Sequence, residues 1–126
     1  VALNRETFLK PIEVPQEKLY VPELEDHIWV KGMTAADRGK FEKTFETPSG
    51  TKSKRKMREI RERLIIACVC NEDGTALFTE DDIEAIGRQP ITMIERIVVF
   101  AQKLSGFSVD EVEAMAKNSD GTEEDN

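Results

Sequence analysis

Leu64 to Cys70 is an uninterrupted apolar run, and it ends abruptly in the polar sequence Asn71-Glu72-Asp73-Gly74. A chain built this way must bury the run on all sides and then reverse direction within a few residues. Upstream, Met57, Ile60, Leu64, Ile65 and Cys68 fall at helical spacing, with Arg58, Glu59 and Glu62 off that stripe. The spacing predicts one helix from near Lys54 to Cys70 through the centre of the core. Gly74 supplies a positive φ for the reversal, Asn71 and Asp73 bond their own backbone, and a short strand Thr75–Phe78 is expected next.

The same turn resembles half of a calcium loop. With Gly74 at position 6, Asp73, Asn71 and Glu80 fall at positions 5, 3 and 12. Position 1 is then Val69, and an isopropyl group cannot ligate a hard cation. A turn, without metal, is the expectation.

At 126 residues the chain suits one domain with a modest core. Apolar residues make up 39% and charged residues 34%, and no apolar run approaches the ~20 residues of a membrane span. No basic start leads into an apolar signal core, so a cytoplasmic protein without membrane contact is expected. Cys68 and Cys70 lie two apart in the predicted helix, on different faces, and cannot bridge each other there. With His27 they do not make up a zinc ligand set, and buried, reduced thiols are expected.

Along the chain, the first ten residues carry little pattern, and Pro11, Pro15 and Pro22 then keep helix out and point to short extended pieces. Leu19 with Val21, and Ile28 with Val30, alternate as two strands joined through Pro22-Glu23-Leu24-Glu25-Asp26, with Trp29 on the opposite face. Thr34 is an N-cap with Asp37 three residues on, and Phe41 and Phe45 stack four apart on the helix that follows. Thr47-Pro48-Ser49-Gly50-Thr51 opens a polar loop of about ten residues, long enough to be mobile or functional. Thr79 and the acids after it start a short helix ending at Gly87, with Phe78 placed to staple onto Ile83. Pro90 opens a long helix whose buried stripe is Ile91, Ile94, Ile97, Val98, Ala101 and Leu104, stopped by Ser105-Gly106. Ser108 and Glu111 form a capping box, stapled by Phe107 and Val112, for a last helix using Val109, Val112 and Met115. The expected class is therefore α+β, mainly α: a small N-terminal antiparallel hairpin followed by a bundle of about five helices. Residues 1–11 read as a flexible N-terminus, 12–118 as one mainly helical domain, and 119–126 as a disordered acidic tail.

Net charge is −7, unevenly placed. Between Lys52 and Arg63, seven basic residues face only Glu59 and Glu62, a local +5. From Ser108 to Asn126 seven acids face only Lys117, a local −6. Opposite charges in one small chain suggest steered assembly. The candidate interaction residues are Lys54, Arg55, Lys56, Arg58 and Arg61 on the basic side and Asp110, Glu111 and Glu113 on the acidic side. The expected contact joins the basic helix start of one copy to the acidic region of a neighbour. The alternative is a small accessory protein that binds nucleic acid through Lys52–Arg63. Against it stand the acidic total and the lack of an aromatic residue within the basic cluster.

Catalysis finds no foothold. His27 has no nucleophile motif around it, Cys68 sits in an apolar helix that raises its pKa, and the acids from Glu80 to Glu84 serve a helix start. No catalytic, metal-binding or cofactor-binding residue is expected.

Taken in order, several pieces carry a resemblance. A strand ending Trp29-Val30-Lys31-Gly32-Met33-Thr34 leads to Asp37-Arg38 and Phe41. The apolar Leu64–Cys70 run meets Asn71-Glu72-Asp73-Gly74 and Leu77-Phe78-Thr79. After Pro90 come Ile94-Glu95-Arg96-Ile97, the Leu104-Ser105 stop and Lys117-Asn118. Over residues 12 to 118 this resembles the tail assembly chaperones of long-tailed bacteriophages. The resemblance implies a non-enzymatic protein that coats the tape-measure protein and presents it to the major tail protein for tube polymerisation. It also implies work in the host cytoplasm, absence from the finished virion, and in many members a longer frameshifted form.

Overall fold

Before the first strand the chain makes a single helical turn, α1 (Arg5–Leu9), where the sequence shows little pattern. Asn4 caps it by accepting the Thr7 amide, and none of its residues is buried. The structure, a computed structural model, describes the backbone of residues 3–117 and the side chains of residues 3–114. The expected tail at 119–126 and the Met115 side chain lie outside the described residues.

Strands β1 (Gln16–Val21) and β2 (Asp26–Lys31) pair antiparallel with Leu19 opposite Ile28. Alternation thus gives Leu19, Val21, Ile28 and Val30 to the core. Pro22 opens a 3-10 turn (Pro22–Leu24), and Glu25, at φ 52°, closes the hairpin. The opposite face carries Tyr20 edge-on to His27 at 5.1 Å and Lys18 over Trp29 at 5.3 Å. These cross-strand pairs account for the lone histidine.

Thr34 and Asp37 form the expected capping box on α2 (Ala35–Lys43), each side chain accepting the other's amide at 3.1 Å. The Thr34 amide holds the Asp37 carboxyl below the usual range, against a smaller opposing effect of burial. A depressed carboxylate stabilises the fold above its unfolded pKa of about 3.9, and that contribution fades as pH falls through the folded value. Asp37→Ala is therefore expected to cost about 1 kcal/mol at neutral pH and progressively less below about pH 4. Urea titrations at both pH values check this, and an equal cost at both would contradict it.

Phe41 and Phe45 meet edge-to-face at 5.0 Å, and Phe107 approaches Phe41 at 6.0 Å. The polar segment after Phe45 is more tightly held than a loose loop. Glu46 and Lys52 form a β-bridge, the Ser53 amide donates to the Phe45 carbonyl at 2.8 Å, and Ser53 is fully buried.

The long central helix expected from Lys54 to Cys70 is divided twice. At Glu59 (φ −94°, ψ 19°) it breaks into α3 (Lys54–Arg58) and α4 (Ile60–Cys68), the Glu59 amide bonding three residues back to Lys56. At Val69 the backbone becomes extended, and β3 (Val69–Cys70) pairs antiparallel with β2, Val69 opposite Val30. A buried helix end and a buried strand look alike in an apolar run, and pairing with β2 decides for strand. The strand expected at Thr75–Phe78 reduces to one bridge between Cys70 and Ala76.

The turn between them follows the local chemistry. Gly74 has φ 87°, the Asn71 amide donates to the Thr75 carbonyl, and the Asp73 carboxylate accepts both the amide and hydroxyl of Thr75. Lys31 Nζ donates to the Gly74 carbonyl and Gln16 Nε2 to the Glu72 carbonyl, both at 2.7 Å. The turn is thus fastened to the hairpin. Asp73 is engaged with Thr75, and Val69 faces the core.

Thr79 and Asp82 form a second capping box over a 3-10 turn (Glu80–Asp82) that continues into α5 (Ile83–Gly87). Helix α6 (Ile91–Ser105) begins after Pro90 and stops at Gly106, φ 78°. Its buried stripe is Met93, Ile94, Ile97, Val98 and Ala101. Ile91, expected in that stripe, is 62% exposed and Leu104 only partly buried. The first turn of α6 overshoots the core, so the stripe begins at Met93. Ser108 accepts the Glu111 amide at the start of α7 (Val109–Lys117), with Phe107 and Val112 buried. Helix α4 packs mainly on α6, flanked by α5 and α2, and the sheet lies on α6. The class is α+β, mainly α, with a three-stranded antiparallel sheet in the order β1-β2-β3.

Candidate functional site

The basic segment is largely satisfied within the chain. Lys56 Nζ donates to the Glu46 carbonyl at 2.8 Å and Lys52 Nζ to the Glu42 carbonyl at 3.3 Å. Arg55 lies 3.7 Å from the Glu59 carboxylate, and Arg61 pairs with Glu95 of α6. That hydrogen bond is the main cause holding the Arg61 pKa above its ordinary value, with burial opposing it and the charge of Glu113 adding to it. Arg61 and Glu113, from the two candidate clusters, are therefore brought within electrostatic reach inside one molecule. Lys54 and Arg58 are exposed and have no partner among the described residues, and Asp110 and Glu111 are exposed on the first turn of α7. The phosphate-binding alternative would thus rest chiefly on two side chains.

Arg63 is different in kind. Only 5% exposed, it donates from Nη2 to Glu59 and from Nη1 to Glu80, both at 2.9 Å, with its guanidinium 6.0 Å from the Phe45 ring. The bond to Glu59 follows from helical spacing; the burial and the bond to Glu80 carry no signal in the sequence. This side chain joins α4 to the turn before α5 as a structural clamp.

Neither cysteine is set up for chemistry. Burial pushes the Cys68 thiol up to about 11, with the Ser105 hydroxyl at 3.7 Å opposing it weakly, and burial also raises Cys70. Among the described residues no group of three or more His, Cys, Asp or Glu side chains converges. No described helix is long and apolar enough to cross a membrane.

The described residues also shape an apolar feature. A groove of about 270 Å³ opens between the hairpin turn and helices α5 and α6. Leu24 and Ile28 form one wall, Phe78, Ala85 and Ile86 another, and Met93, Ile94 and Ile97 the floor beside Ile65 and Val69. Asp82 and Gln89 stand at its border. Its walls come from three separate parts of the chain, so no local pattern announces it.

A hairpin leading to a capped helix, a broken central helix returning to the sheet, and a long helix crossing it define a tail-assembly-chaperone-like fold. One solved structure that shows this likeness is that of the bacteriophage HK97 tail assembly chaperone. The two share 16% identity and superpose with a TM-score of 0.54, over 79% of this chain and 89% of that one. At that identity the likeness establishes a shared fold. No family model matches the sequence, and no curated protein matches it.

Proposed function

We propose that the protein is a bacteriophage tail assembly chaperone that binds the tape-measure protein and promotes polymerisation of the tail tube. The observation that carries this reading is the fold shared with the HK97 tail assembly chaperone over 89% of that chain. Chain order adds support, since the strand end, the Asn71–Gly74 turn and the Pro90 helix succeed one another as the resemblance requires. The role is one of binding, with the tape-measure and major tail proteins as partners in the host cytoplasm. The folded domain spans residues 12–118 in this reading, and the absence of buried residues in α1 supports placing 1–11 outside it. Copies associate through Lys54, Arg55, Lys56, Arg58 and Arg61 of one and Asp110, Glu111 and Glu113 of the next, a contact that added salt weakens.

Co-expression with a long, helix-rich tape-measure protein from the same genome is the test. The soluble yield of that protein is expected to rise and the two to co-purify. No complex and no gain in solubility would refute the proposal. Filter binding on DNA and RNA across a salt series addresses the alternative, which predicts a steep salt slope abolished by Lys54→Ala with Arg58→Ala.

A further inference from the structure

The basic cluster is larger in the fold than in any one stretch of sequence. From Arg38 to Arg58 there are eight basic residues and two acidic ones, Glu42 and Glu46, a local +6. The structure joins the end of α2 to α3 within this span, through the bridge between Glu46 and Lys52 and the bond from Lys56 Nζ to the Glu46 carbonyl. A carbonyl carries no formal charge, so that bond leaves the ammonium uncompensated. Lys43, Lys54 and Arg58 are exposed, and their side chains have no partner among the described residues.

Helix α7 runs beside this cluster. Phe107, in the turn before it, packs on α2, its ring 6.0 Å from that of Phe41 and 4.5 Å from the Arg38 guanidinium. Further along, the charge of Glu113 acts on Arg61, three residues beyond Arg58. After α7 come Asp120, Glu123, Glu124 and Asp125, with no basic residue among 118–126.

We infer that residues 118–126 fold back over the end of α2 and over α3 of the same chain, pairing their carboxylates with Lys43, Lys54 and Arg58. Charge is complementary, −4 against +6. Reach suffices as well. Lys117 lies about 6 Å along α7 from Glu113, and Lys54 about 10 Å back from Arg61. Residues 118–125 can span about 26 Å. Position favours the same copy over a second one. A segment tethered this close meets the cations at an effective concentration in roughly the millimolar range, which a neighbour in dilute solution does not match. Lys54 and Arg58 are also assigned above to a contact between copies, so residues 118–126 compete with a neighbour for them. The contact within the chain depends neither on that association nor on the tail-assembly role.

Carbodiimide coupling of the full chain, which joins carboxylates directly to lysine amines, tests the inference. Unlabelled and isotopically heavy protein are mixed equally at about 1 µM, far below the effective concentration of the tether. Links from Asp120, Glu123, Glu124 or Asp125 to Lys43 or Lys54 are expected within one isotope, in a yield that dilution leaves unchanged. The contact between copies instead joins Asp110, Glu111 or Glu113 to lysines of either isotope and fades on dilution, so the two are read separately. At about 1 M salt, where screening acts beyond about 3 Å, the links from residues 118–126 should be lost. A variant with Asp120→Asn, Glu123→Gln, Glu124→Gln and Asp125→Asn leaves the described domain untouched. A labelled peptide of residues 118–126 should bind that variant about fivefold more tightly than the wild type, because the tethered competitor is gone. Links from residues 118–126 that are as often mixed as single in isotope, no such link to these lysines, or peptide binding no tighter in the variant would overturn the inference.

Discussion

Alanine at Gly32 is expected to destabilise the protein by about 3 kcal/mol and to lower its melting temperature by about 10 °C. A Cβ there would lie 2.4 Å from the carbonyl oxygen of Leu104 and 3.0 Å from its carbonyl carbon, with Pro15 Cδ at 3.5 Å. The nearest atoms are backbone, so no side chain can swing aside. Either the end of β2 withdraws from α6, or α6 loses its final turn. The first movement strains the bond from the Gly32 amide to the Pro15 carbonyl, and with it the start of the sheet. Gly39 is the internal control: it lies in α2 with open space around it, and alanine there should stabilise by about 0.5–1 kcal/mol. Calorimetry of the two variants reads both, and a Gly32→Ala protein that melts with the wild type would refute the argument.

The second large effect is asymmetric and concerns Arg63. Removing both its partners, Glu59→Ala with Glu80→Ala, should cost about 3 kcal/mol, because a buried guanidinium is left without an anion. Removing the cation, Arg63→Met, should cost far less or even stabilise. Its partners' side chains are 26% and 68% exposed, so water takes over the carboxylates, whereas Arg63 Nε is already buried without a hydrogen-bond partner among the described residues. Methionine keeps the apolar contact with Phe45 and discards the desolvation cost. Urea unfolding of the three proteins separates the cases, and equal losses for the two changes would show that the clamp stabilises as a pair.

Features set by neighbouring residues were legible in the sequence. Thr34 with Asp37, Thr79, Pro90 and Ser108 mark helix starts because capping needs only nearby amides, and Asn71–Gly74 marks its turn for the same reason. Features set by distant partners were not. Val69–Cys70 reads as helix until β2 is beside it, and Glu59 has no glycine or proline to signal a break. The charged candidates were visible as clusters, but neutralisation of Arg61 by Glu95 requires α6 to be placed. The groove needs the hairpin turn, α5 and α6 together.

The two-residue strand β3 has a consequence for the order in which the molecule forms. Strands β1 and β2 are joined by a tight turn and can meet early, while β3 reaches β2 only after the whole of α2 to α4 has been spanned. Closing that long segment costs entropy that two strand residues cannot offset, so the third strand adds only once α4 has docked. Completion of the sheet therefore reports on completion of the helical core. In pulsed hydrogen exchange during refolding, the Cys70 amide should gain protection together with α4, whose last turn the Val69 amide closes by donating to Ile65, and later than the amides of the β1–β2 hairpin.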